Sequence, residues 1–135
     1  MESREELRDA LASIREEVPG IRALALISYD GFVIESFMPS SVDEDLMAAM
    51  GASVLSIAER MGIDLRIGEF ELGIISGSDS YVLLTKAGEY AILLVLVNKE
   101  VKLGVALYWV KRAASRVAEL LKRAPIEKIV PYRWG

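Results

Sequence analysis

Ile21-Arg22-Ala23-Leu24-Ala25-Leu26-Ile27-Ser28-Tyr29-Asp30-Gly31-Phe32-Val33-Ile34-Glu35-Ser36-Phe37 is the stretch on which the fold class of this 135-residue chain turns. Ile21 to Ser28 is apolar and partly β-branched, and a second such run, Phe32 to Phe37, follows after Tyr29-Asp30-Gly31. An Asp-Gly step between two apolar runs predicts a β-hairpin, because glycine accepts positive φ without strain.

Upstream, Leu7, Leu11, Ile14 and Val18 recur at helical spacing, with Ser3 and Glu6 placed as a capping box, and Pro19-Gly20 ends this first helix. Downstream, Pro39 to Val42 reads as a loop. Ser41 or Asp43 can then cap a helix from about Glu44 to Met61 that ends at Gly62. Phe70, Leu72 and Ile74 alternate with Glu69, Glu71 and Gly73, which predicts a third strand over 69–76. Ser76-Gly77-Ser78-Asp79 turns into a fourth strand, Tyr81 to Lys86. Ala87-Gly88-Glu89 turns into a fifth, Tyr90 to Val97, whose apolar residues on both faces make it a central strand. The last helix spans Leu103 to Arg123, with Leu103, Leu107, Val110, Ala114, Val117 and Leu121 on one face, and Pro125 breaks it. The fold class is therefore α/β in the α+β sense: a single five-stranded antiparallel sheet sandwiched by helices, in the order helix-strand-strand-helix-strand-strand-strand-helix.

Composition narrows the function classes. The formal charge of −4 and the lack of a basic stripe argue against nucleic acid, whose phosphates require clustered Lys and Arg. With no cysteine there are no disulfides, thiolate nucleophiles or sulfur-ligated metals; with no histidine, most hydrolase and metalloenzyme mechanisms are excluded. The apolar fraction of 53% lies above the usual range of roughly 45–50%, as expected of a small domain that hides surface in an oligomer. The acidic start, Met1 to Glu6, is unlike a signal peptide, and the longest apolar run, Ala91 to Val97, is too short to span a bilayer. A cytoplasmic location without a membrane span is expected. The absence of glutamine, with Asn98 the sole asparagine, points to a hot-environment source.

Candidate chemistry is sparse. Gly73 to Ser80 holds glycines and hydroxyls but lacks the Lys-Ser/Thr step and following helix of a phosphate loop, so it is read as a hairpin turn. Asp43, Glu44 and Asp45 could hold a divalent cation, yet acidic residues at a helix start are favoured by the helix dipole alone. Asp30 has no partner base in motif spacing and is read as a turn residue. Tyr108 and Arg112 share the polar side of the last helix and, with Trp134 in the tail, are candidate partner contacts. No catalytic, cofactor-binding or metal-ligating residue is assigned.

The middle helix is apolar around more of its surface than one sheet contact needs. Leu46, Met50, Val54, Ile57 and Met61 form one stripe; Met47, Gly51, Leu55 and Ala58 widen it, with Ala48 and Ala52 beyond. Loops of the same chain or a second subunit must cover the excess. Gly51, which costs about 1 kcal/mol relative to alanine inside a helix, predicts close approach of another backbone. A two-fold homodimer through this helix is the expected arrangement.

The element order, the Ala23-to-Gly31 stretch, the alanine-rich middle helix and the Lys102-Leu103-Gly104 start of the last helix together resemble the roadblock family of dynein light chains. The likeness runs from about Leu7 to Leu121, giving a roadblock-like domain over 1–124 and a C-terminal tail over 125–135. The resemblance implies dimerisation through the middle helix and the third strand, with Met47, Ala48, Gly51, Ala52, Leu55, Phe70 and Leu72 at the dimer interface. It further implies a non-enzymatic module that binds and regulates, or scaffolds, a small Ras-like GTPase. A small-molecule sensor of the same layout and a purely structural scaffold subunit are the alternative expectations. The Tyr-Arg-Trp-Gly tail departs from the family pattern.

Overall fold

The computed structural model describes residues 2–123. Eight elements follow one another: α1 (Glu2–Glu17), β1 (Ile21–Ser28), β2 (Val33–Phe37), α2 (Glu44–Asp64), β3 (Leu72–Ser76), β4 (Ser80–Lys86), β5 (Ala91–Asn98) and α3 (Leu103–Arg123). The strands form one antiparallel sheet in the order β2-β1-β5-β4-β3. The hairpin between β1 and β2 turns where Asp-Gly predicted, with Gly31 at φ +91 and its N–H donating to the Ser28 carbonyl at 3.0 Å.

Alternation along the strands divides the core in two. Leu24 and Leu26 of β1, Leu83 of β4, and Leu93 and Val95 of β5 point to the face covered by α1 and α3. There they meet Leu7, Leu11 and Ile14 from α1, and Val110 and Val117 from α3. Ala25, Ile27, Leu84, Ile92 and Leu94 point to the opposite face, under Met47, Ala48 and Leu55 of α2. The central position expected of the fifth strand holds: all of Ala91 to Val95 is buried.

Three features depart from the sequence reading. Helix α1 begins at Glu2, so Ser3 lies inside the helix rather than at its cap. On α3, Leu103 is exposed and the buried face runs through Ala106, Val110, Ala113, Ala114, Val117 and Leu120, rotated toward the small residues that allow α3 to pack against α1 and β4. Helix α2 passes through Gly62 and ends at Asp64. Its terminator is Arg66, at φ +56, with the Arg66 N–H donating to the Ile63 carbonyl at 3.3 Å and the Ile67 N–H to the Gly62 carbonyl at 3.1 Å. This is a Schellman closure with arginine in the left-handed position that glycine usually takes.

Candidate interaction surface

Helix α2 starts at Asp43, whose carboxylate accepts from the Leu46 N–H at 3.1 Å, while Glu44 and Asp45 occupy the dipole-favoured first turn. Among the described residues, no group of three acidic side chains is placed to hold a metal ion.

The two halves of the apolar surface of α2 have different fates. Met47, Ala48, Gly51 and Leu55 are buried against the chain's own sheet. A Cβ on Gly51 would lie 2.7 Å from Cδ1 of Ile27 and 2.9 Å from Cδ1 of Leu94, so the close approach that this glycine permits is to β1 and β5. Ala52 is half-buried beside the β1–β2 turn, where a Cβ on Gly31 would come within 3.4 Å of it. Four of the residues expected at the dimer interface, Met47, Ala48, Gly51 and Leu55, thus seat the helix on the chain's own sheet. The spacing of Ala48, Gly51, Ala52 and Leu55 carried the signal, since small residues along one helical row let a helix approach a sheet closely.

The uncovered stripe is instead Leu46, Met50, Ile57 and Met61, with Ile57 63% exposed. It continues through Ile63 in the last turn and past the helix through Leu65 and Ile67, and β3 adds exposed Ile75 on the same face at the free edge of the sheet, whereas exposed Ile74, opposite Leu83, faces the α1 and α3 side. Helix α2 packs toward the β1 and β2 side of the sheet, which leaves Val82 of β4 half-buried and Ile75 of β3 exposed on the same face. Between α2 and these strands runs an apolar groove of about 510 Å³, lined by Leu46, Met50, Val54, Ile75, Val82 and Leu96. Phe70 is half-buried against the α2 side of the core, and Leu72 is half-buried on β3. By length and composition α2 is also long and apolar enough to cross a membrane, which no unbroken apolar run in the sequence signals; its Met47-to-Leu55 row is nevertheless packed on the sheet.

On the opposite face, Tyr108 is 54% exposed and accepts a hydrogen bond from Arg112 Nη1 at 3.2 Å, so the sequence pairing of these two is present in the structure. Trp134 and the tail lie outside the described residues. Two tyrosines have perturbed hydroxyls. Burial raises the Tyr29 pKa above 10.0, partly offset by the positive charge of Lys86 and by hydrogen bonding between the two side chains. Burial also raises that of Tyr81, whose hydroxyl donates to the Val101 carbonyl at 2.6 Å.

The chain is an α/β module: a five-stranded antiparallel sheet with α2 on one face and α1 and α3 on the other, which leaves the outer apolar stripe of α2 exposed beside a free strand edge. The Roadblock/LC7 domain model matches residues 8–97, and the chain belongs to that family. It is similar to the uncharacterized protein MJ0310 of Methanocaldococcus jannaschii, 37% identical over 98 residues that cover 73% of this chain and 85% of the relative. Among solved structures it is similar to the gliding protein MglB from Thermus thermophilus, with 21% identity, 90% of this chain and 93% of that one covered, and a TM-score of 0.81. A structure of MglB with a tetrameric arrangement gives 23% identity, 90% and 92% coverage, and the same TM-score of 0.81.

Proposed function

We propose that this chain is a homodimeric, non-catalytic module of the cytoplasm that binds and regulates, or scaffolds, a small Ras-like GTPase. The observation that carries the reading is the uncovered apolar stripe of α2 running beside the free edge of β3. Each of Leu46, Met50, Ile57, Met61 and Ile75 is about half-covered already, so withdrawing it from water is worth on the order of 1 kcal/mol. Summed over two copies, this reaches the scale of the association cost of about 4–15 kcal/mol. An isologous contact would pair α2 with its own copy and cover the strand edge at the same time. The tetrameric arrangement named for one MglB structure is consistent with self-association in this fold.

The GTPase part of the proposal rests on family membership and on the fold shared with MglB. Affinity capture from the native organism's lysate, with GDP or a non-hydrolysable GTP analogue added, tests it. Nucleotide-dependent recovery of a small GTPase supports the reading; recovery of none in either state overturns it. The 510 Å³ apolar groove favours a second reading, a small-molecule sensor. A rise in melting temperature with an apolar ligand, in a chain shown by light scattering to be monomeric, would select that reading over the first.

A further inference from the structure

Charge is unevenly distributed over this acidic chain. Helix α3 carries Lys111, Arg112, Arg116, Lys122 and Arg123 against a single carboxylate, Glu119, although the whole chain has a formal charge of −4. Lys122 is paired with Glu119 at 3.3 Å and Arg123 with Glu6 at 3.1 Å. Lys111, Arg112 and Arg116 have no ion pair among the described residues. The Arg112 guanidinium lies instead 5.5 Å from the ring centre of Tyr108 and 5.7 Å from that of Trp109. Between α1 and α3 lies a groove of about 310 Å³ lined by Ser13, Ile14, Trp109, Arg112 and Arg116, with Glu17 its one carboxylate.

We propose that this groove is a docking site for an acidic segment of a partner protein. Two guanidiniums one helical turn apart present forked donors to carboxylates, and Arg112 is held in place by two aromatic rings. The half-buried indole of Trp109 gives an apolar neighbour of the acidic segment a surface to lie against. A lipid bilayer fits the geometry less well. The apolar row of α3, including Val110, Ala114 and Val117, is buried in the core, whereas a helix lying in a membrane interface turns that row toward the lipid. The chain's own residues 124–135 carry Lys128 and Arg133 against Glu127, the wrong sign for this groove. The groove is on the sheet face opposite α2, so self-pairing through α2 leaves it open and the inference does not depend on the GTPase reading.

The test titrates the full chain against a labelled peptide of alternating Glu and Leu, its Lys-Leu counterpart, and phosphatidylserine-phosphatidylcholine vesicles, followed by fluorescence anisotropy and vesicle co-sedimentation. The Glu-Leu peptide is expected to bind in preference to the Lys-Leu peptide, with affinity that falls as salt rises. The double variant Arg112→Ala/Arg116→Ala is expected to weaken binding about tenfold or more. Arg112→Lys/Arg116→Lys should keep the charge-dependent part of it but fall short of the parent, because lysine lacks the forked donors, and the distant Arg22→Ala should leave it unchanged. Equal binding of the two peptides, or binding indifferent to the double alanine variant, overturns the proposal. Vesicle binding that is lost in the double variant, with no peptide binding, also overturns it, in favour of an anionic membrane.

Discussion

The carbonyl oxygen of Gly68 occupies the space that a Cβ on Gly62 would fill. Gly62 is therefore required by packing rather than as the end of α2. The contrast with Gly51 is testable, because what crowds Gly51 is the ends of two flexible side chains, Ile27 and Leu94. Both Gly→Ala changes gain about 1 kcal/mol of helix propensity. At Gly51 that gain offsets a small shift of two methyl groups, so Gly51→Ala should change stability by less than about 1 kcal/mol. At Gly62 the obstacle is backbone, and Gly62→Ala should cost about 2–3 kcal/mol net. Urea denaturation of the two variants checks the order; equal stabilities would refute this account of Gly62.

Arg66 closes α2 from a left-handed conformation, at φ +56, in which an L side chain is strained by roughly 1–2 kcal/mol. Its side chain is exposed, so replacement removes no core contact. Arg66→Gly should stabilise the fold by about 0.5–1 kcal/mol, the relief of strain exceeding the extra entropy glycine gives the unfolded chain. A raised melting temperature is the expected readout.

The sheet and element order were legible because Asp-Gly turns and period-two alternation are local signals, written within a few residues of where they act. Helix-face assignment was not local. Both stripes of α2 are apolar, so periodicity alone left their roles open, and burial of the Met47, Ala48, Gly51 and Leu55 row depends on Ile27 and Leu94, far away in sequence. The end of α2 was obscured for a similar reason. Gly62 resembles a terminator, while the residue that reverses the chain is an arginine with no propensity for the left-handed region. The groove between α1 and α3 could not be seen from the helical wheel of α3 alone, because Ser13, Ile14 and Glu17 come from the first helix.

Tyr29 and Tyr81 make stability depend on alkaline pH. Both pKa values are raised in the fold by burial, so the folded chain favours the neutral phenol. That contribution is complete below the unfolded value of 10.0 and is lost as pH rises through the folded values. Denaturation midpoints should fall above about pH 10, and Tyr29→Phe should reduce the slope of that fall. At neutral pH the same change removes a buried hydroxyl together with its interaction with Lys86 and should alter stability by less than about 1 kcal/mol. Tyr81→Phe, by contrast, loses the bond to the Val101 carbonyl and should cost about 1 kcal/mol at neutral pH.

The two faces of α2 can be separated by paired substitutions. Met50 and Ile57 are exposed, so Met50→Glu/Ile57→Glu places charge where the folded chain meets only water or another molecule. If the proposed pairing through α2 holds, the variant should melt as a folded monomer, with light scattering reporting half the mass of the parent and little change in circular dichroism. Leu55 is only 2% exposed beneath the helix, and Leu55→Ala should cost about 2–5 kcal/mol of folding stability through the cavity it leaves. The molecules of that variant that remain folded should still pair, because the outward stripe is intact. If the Glu variant kept the parent mass while Leu55→Ala alone dispersed it, self-association would have to run through a surface other than the exposed side of α2.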